Sequence, residues 1–216
     1  MKNYLLLLLC AGQLCGFETH KNFEKTHFIV GYTPGHDKDT SNRENEQIEV
    51  AKSDKIPSTF TYFTTVDDVS KEILSRISSA KKSIYIATFT LTDSKIADCL
   101  IRAHKAGIEV TVITDKERMR DKYSKVDKLV AQKVPVFYYN SDLNQNPKQK
   151  KSKNGLMHHK FIIVDEAILI FGSLNLTKAG QNENIENITV TTKAKMVTDY
   201  LDEFKRLLLL STKINL

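Results

Sequence analysis

The stretch Ser83 to Thr114, SIYIATFTLTDSKIADCLIRAHKAGIEVTVIT, decides the fold. Ser83 to Phe89 reads as a strand. Thr92 or Asp93 then caps a helix whose apolar face is Ile96, Cys99, Leu100 and Ala103, and Gly107 falls where a left-handed C-terminal cap is wanted. Ile108 to Thr114 reads as the next strand. Downstream, the spacing predicts a basic helix over Lys116 to Gln132, with Met119, Tyr123, Val126 and Val130 inward, and a strand over Val134 to Tyr139. Upstream, Thr59 to Thr64 is rich in Thr and aromatic residues and reads as a strand. Thr65 with Asp68 resembles a capping box, and Val66, Val69, Ile73 and Ile77 follow at helical spacing to about Ala80. Strands alternating with helices predict an α/β fold: a mixed, largely parallel β-sheet flanked by helices on both faces, one domain per chain.

Beyond Asn140 the pattern gives way to a polar loop, Ser141 to Gly155, which carries Lys148, Lys150, Lys151 and Lys153. Two strands follow, Met157 to Val164 and Ala167 to Gly172, with only Asp165-Glu166 between them, so they predict a hairpin. Asn187 to Thr192 reads as a last strand. Val197, Tyr200, Leu201, Phe204, Leu207 and Leu208 mark a final amphipathic helix. No internal repeat is visible.

The first residues have a different character. Lys2, the apolar run Leu5 to Leu9, and small or mixed residues up to Gly16 have the order of an export signal. Tyr4 to Phe17 is 14 residues long, short of the about 20 needed to span a bilayer. Residues 1–17 are therefore expected to be a signal peptide or N-terminal membrane-targeting segment. The protein is expected to be exported: periplasmic, envelope-attached or secreted. Cys10 and Cys15 raise lipid attachment, although each follows Leu, where lipid-modified cysteines usually follow Gly, Ala or Ser. Residues 18–56 read as a polar connector, and residues 57–216 as the folded domain. Removal of the leader would leave Cys99 as the only thiol; on its helix face it reads as a small buried hydrophobe.

Composition excludes several classes. With 41% hydrophobic and 27% charged residues, the chain is neither collagen-like nor disordered nor multispanning. Its formal charge is +6. Residues 57–216 hold the excess, with 25 basic and 18 acidic side chains. A basic domain favours polyanionic partners such as nucleic acid or anionic lipid headgroups, though solvated lysines alone give the same count.

Chemistry concentrates in His158-His159-Lys160-Phe161-Ile162-Ile163-Val164-Asp165 and Gly172-Ser173-Leu174-Asn175. Strand alternation puts His158 and Lys160 on one side and His159 on the other. Ser173 and Asn175 are likewise two apart, able to aim a hydroxyl and an amide at one spot. Imidazole supplies attack or proton transfer, the ammonium neutralises developing charge, and Ser and Asn offer hydrogen bonds to phosphate oxygens. Asp165 falls on the His159 side or in the turn, which gives it a structural job in the hairpin. Glu186, just before the last strand, is the candidate to orient an imidazole.

Blander readings stand beside these. His20, His27, His36, His104 and His159 read as packing or surface residues. No HExxH or paired-cysteine spacing occurs, and adjacent histidines on one strand face apart, so no metal site is expected. Lys148, Lys150, Lys151 and Lys153 read as phosphate-backbone contacts or as a solvated connector. Lys116, Arg118, Arg120 and Lys122 have the same two readings, since Glu117 and Asp121 stand within pairing distance along a helix.

Together His158, Lys160, Asp165, Gly172, Ser173 and Asn175 resemble the HKD motif of the phospholipase D superfamily. Ala80 to Thr92 and Gly107 to Val110 resemble the early strands and helix of its small Nuc-type endonucleases. The similarity covers about residues 59 to 210, and a single-motif exported chain looks most like the bacterial membrane-associated NucT nucleases. That resemblance implies a phosphodiesterase without metal or cofactor, acting through a phosphohistidine, with two HKD motifs per active site. One motif per chain then implies a homodimer in which one His158 attacks and its symmetry mate serves as acid. By position, Lys160 and Asn175 would bind phosphate, Ser173 would support the intermediate, and Glu186 would steer His158. The expected partner is nucleic acid, single-stranded DNA favoured and RNA included, with the N-terminus as a route to the membrane. Two alternatives stand: a phospholipid hydrolase or phosphatidyltransferase, and a non-catalytic nucleic-acid-binding module.

Overall fold

A computed structural model describes residues 58–143 and 155–215. The leader, the connector, and Lys148, Lys150, Lys151 and Lys153 lie outside the described residues. Among the described residues, eight strands form one sheet: β1 Thr59–Phe63, β2 Ser83–Thr88, β3 Glu109–Thr114, β4 Val136–Tyr139, β5 Lys160–Val164, β6 Ile168–Gly172, β7 Asn187–Thr191 and β8 Ser211–Lys213. The helices are α1 Val69–Ser79, α2 Ser94–Lys105, α3 Val126–Ala131, α4 Lys178–Asn182 and α5 Ala194–Leu209. None of them is long and apolar enough to cross a membrane.

The strand order is β1-β7-β6-β5-β2-β3-β4-β8. The sheet is mixed, as expected, but its parallel part is confined to β2, β3 and β4, and every other pairing is antiparallel. A parallel neighbour needs a crossover that returns the chain to the starting edge. β5 instead runs antiparallel to β2, entering at the end where β2 finishes, with Lys160 opposite Thr88.

Alternation along each strand divides the core. Ile84, Ile86, Val110, Val112, Ile162, Val164 and Ile170 meet α1, α2 and α3 on one face, through Ile73, Ile77, Ile96, Leu100 and Leu129. Ala87, Ile113, Phe161, Ile163 and Leu169 meet α5 on the other, through Val197, Leu201, Phe204 and Leu207. Each fully buried Ile or Leu contributes about 1.5–3 kcal/mol, so both layers are needed to hold a sheet this wide. Cys99 is buried and free, as its helix face predicts.

The cap of α2 follows the sequence, but the expected Thr65–Asp68 capping box does not form, because Asp68 is itself the N-cap of α1. Asp68 accepts from the Lys71 N–H at 2.9 Å and Asp93 from the Ile96 N–H at 2.9 Å, supplying acceptors to orphan N–H groups of the first turn. Gly107 has φ +86°. Three further expectations fail. Val66 precedes α1 and is exposed. The basic helix over Lys116 to Gln132 is instead a 3-10 turn at Arg118–Arg120 followed by α3, and Tyr123 faces solvent. The strand expected from Met157 begins only at Lys160.

Candidate active site

Apart from Asp165, the motif residues lie at one end of the sheet strands. Lys160 opens β5, Ser173 follows β6, Glu186 precedes β7, Phe89 follows β2 and Asp115 follows β3. Carboxyl ends of parallel strands are where open α/β sheets place their ligands. The end here is the carboxyl end of β2 and β3.

His158 and Lys160 share a side, as alternation predicts. The Lys160 ammonium donates to the His158 carbonyl at 2.9 Å and lies 3.2 Å from its Nδ1. Burial lowers the pKa of Lys160, and the Glu186 carboxylate acts in the opposite direction. His159 points to the other face, where its Nε2 is 3.3 Å from Glu203 of α5. His158 and His159 both edge an open groove with Tyr139, Leu156, Met157 and Glu203.

Ser173 and Asn175 are not on a strand, because β6 ends at Gly172. The intervening Leu174 and the following Leu176 are buried in the core, while Ser173 is exposed and Asn175 half-buried. The Ser173 hydroxyl donates to the Glu186 carboxylate and accepts from the Asn187 N–H at 3.2 Å. Gly172 makes this close approach feasible: a Cβ there would sit 2.2 Å from the Asn187 carbonyl oxygen. The Asn175 Oδ1 is buried and has no hydrogen-bond partner.

Glu186 departs from its expected place. No hydrogen bond joins it to His158 within the chain; its carboxylate holds Ser173 and lies 3.4 Å from the Asn184 side-chain amide. Asp165 sits at the far end of β5, roughly 15 Å from the Lys160 end at strand rise. Asp165 and Glu166 form the turn with φ 54° and 52°. The Asp165 carboxylate accepts from the backbone N–H groups of Lys81 at 2.9 Å, Lys82 at 2.7 Å and Ser83 at 2.9 Å. Burial alone would raise its pKa, but these donors outweigh it and hold the carboxyl below its usual value. Its work is to clamp the hairpin onto the start of β2.

Two supporting residues were invisible in the motif. Phe89 donates its backbone N–H to the His159 carbonyl at 2.9 Å, which sets its ring 4.6 Å from the His158 imidazole. Asp115, 2% exposed, accepts from the Glu117 N–H at 3.0 Å and from the Met157 N–H at 3.0 Å. The second bond ties the residue before His158 to the end of β3. Both residues follow a strand directly, the one sequence signal that marks them. Among the described residues, no group of three or more His, Cys, Asp or Glu is placed to hold a metal ion.

A family model described as cardiolipin synthase, PLD-like domain, matches residues 73–208. A phospholipase D of Rickettsia bellii is 31% identical over 144 residues, 67% of this chain and 66% of the relative. A mitochondrial cardiolipin hydrolase of Xenopus laevis is 31% identical over 141 residues, 65% of this chain and 61% of the relative. The matches thus span just under two thirds of these relatives. Among solved structures, the phospholipase D family member Nuc from Salmonella typhimurium superimposes with TM-score 0.63 at 23% identity, covering 74% of this chain and 99% of Nuc. NucT from Helicobacter pylori gives TM-score 0.61 at 24% identity, covering 72% and 99%. Both share the fold.

Proposed function

We propose, because this chain belongs to the phospholipase D-like family, that it is a metal-independent phosphodiesterase and most specifically an endonuclease acting on DNA. The observation that carries the reading is the His158–Lys160 pair: an imidazole beside an ammonium, opening onto solvent at the sheet edge. His158 attacks phosphorus, the P–O bond to the leaving group breaks, and a second imidazole protonates the departing oxygen. Water then adds to the phosphohistidine, the P–N bond breaks, and the second imidazole takes the water's proton. Lys160 offsets charge on the phosphoryl oxygens. Ser173, held by Glu186, and Asn175 complete the polar surround.

The chain carries one such histidine, so the second comes from another copy in a homodimer. Basic residues in 57–216 favour nucleic acid as the substrate, single-stranded DNA first and RNA next. Lys148, Lys150, Lys151 and Lys153 immediately precede the site in sequence, which supports phosphate contact for them. The leader over residues 1–17 supports export and attachment at the envelope.

A phospholipid substrate is the second reading. The names of the curated relatives favour it, and so does an exposed apolar rim, in which Phe63 is 48%, Val66 79% and Ile185 86% exposed. Thr64 bonds to Asn184 and Glu186, so this rim adjoins the site. The discriminating experiment offers single-stranded DNA, RNA and phospholipid vesicles to one preparation in excess chelator. DNA is expected to be cut, and His158→Ala to lose about a thousandfold or more. Complete loss in chelator that Mg²⁺ restores would defeat the mechanism, and hydrolysis of vesicles alone would select the lipid reading.

A further inference from the structure

We propose that Arg118 is a second phosphate-binding position beside the His158–Lys160 pair, taking a phosphodiester that neighbours the scissile one on a polynucleotide. The inference rests on the nucleic-acid reading above and adds a specificity contact to it. Phe89 is the common support. Its ring meets the His158 imidazole at 4.6 Å, the Lys160 ammonium at 5.6 Å and the Arg118 guanidinium at 5.4 Å. Arg118 thus shares the aromatic surface on which the reactive pair sits, although it lies on a separate turn between β3 and α3.

Its backbone is fixed by the same carboxylate that fixes the reactive segment. Asp115 Oδ1 accepts the Arg118 N–H at 3.3 Å while Oδ2 accepts the Met157 N–H at 3.0 Å. One buried group therefore sets Arg118 and His158 relative to each other.

The side chain has donors to spare. Of five N–H donors in a guanidinium, Nη1 bonds Asp121 at 3.2 Å, in a pair whose side chains are 41% and 37% exposed. Such an exposed pair contributes about 0–1 kcal/mol and yields readily to a competing anion. The Nε is buried and has no hydrogen-bond partner. A phosphate would meet the exposed Nη donors with the planar geometry that guanidinium recognises, and release from Asp121 would let the side chain turn its unpaired Nε, costly where it lies buried, towards the same anion. A polynucleotide supplies an anion at every residue, so occupancy of the reactive pair brings another phosphate into reach. A lipid with a single phosphodiester has no second anion to offer.

The test uses the full chain carrying His158→Ala, so that bound DNA stays intact. Affinity for a labelled single-stranded oligonucleotide is measured across salt concentrations, with vesicles containing phosphatidylglycerol, a lipid with one phosphodiester, as the lipid arm. Adding Arg118→Ala is expected to weaken DNA binding roughly tenfold at low salt. It should make the slope of log affinity against log salt shallower by about 0.7. Arg118→Lys, which keeps the charge and guards against a folding artefact, should restore the slope but not the full affinity. An unchanged slope in a folded Arg118→Ala protein overturns the inference, as does a loss confined to the vesicles. If the protein with Arg118 intact binds no DNA, the nucleic-acid reading itself fails and this inference falls with it.

Discussion

Asp165 shows how a residue can belong to a reactive motif and yet do its work elsewhere. It stands at the opposite end of β5 from Lys160, with its carboxylate taken up by three consecutive backbone N–H groups. Because its folded pKa is depressed, the stability it contributes is present above the unfolded value of about 3.9 and is lost as pH falls through the folded one. Asp165→Asn keeps a side chain that tolerates the left-handed turn but removes the charge. The expected outcome is a loss of about 1–2 kcal/mol at neutral pH. Urea melts across pH should show the gap between mutant and wild type closing below about pH 4. Turnover per folded molecule should fall far less than in His158→Ala; an equal fall would restore a direct chemical role. Alternation in HxKxxxxD already separated Asp165 from the His158 side, so this division was legible without coordinates. Glu186 was not, because its partner depends on where β6 ends and β7 begins. The chain between those strands is a loop and a short helix with no periodicity to read.

At the level of elements, legibility followed the hydrophobic pattern and failed where the pattern arose by coincidence. Met119, Tyr123, Val126 and Val130 have helical spacing, but Asp115 accepts from the Glu117 and Arg118 N–H groups and turns the chain tightly at once. Ser124 starts α3 afresh by accepting from the Val126 N–H at 3.2 Å. Side-chain acceptors at those two points outweigh the propensity of the intervening residues. β8 carries no sequence signal for another reason: its three residues at the sheet edge, Ser211, Thr212 and Lys213, are all polar and show no alternation. Gly172 is the element-scale feature with the plainest consequence. A side chain there would strike the carbonyl of Asn187 and the Cα of Ile188 at 2.9 Å, both backbone. Gly172→Ala should therefore push β6 from β7, costing about 1–3 kcal/mol, and displace Ser173 from the Asn187 N–H. Thermal melts should show the loss. Hydrolysis should fall even where the protein remains folded. An unaltered melting temperature would mean the two strands part freely.

For the whole molecule, the decisive property is that among the described residues each chain offers one imidazole, His158, beside Lys160 at the open end of the sheet, whereas the proposed reaction uses two with opposite protonation. If two copies pool their histidines in one site, a mixed pair of wild-type and His158→Ala chains lacks either the nucleophile or the acid. Co-expressing the two at equal levels gives wild-type, mixed and mutant pairs in random proportion. Activity per total chain should then drop to about a quarter of wild type rather than half, provided the pairs form at random. A drop to half would mean that each chain carries a complete site of its own, and the second acid would have to be sought within the chain. The structure frames that outcome sharply. Among the described residues, His159 is committed to the opposite face with Glu203, and His104 lies in the last turn of α2, away from this end. Among the described residues, a self-sufficient chain would thus have to draw its acid from Lys160 or another non-histidine group. Its pH profile would then keep the rise that a nucleophilic imidazole requires and lose the fall expected above the ordinary pKa of an imidazole acid, about 6.5.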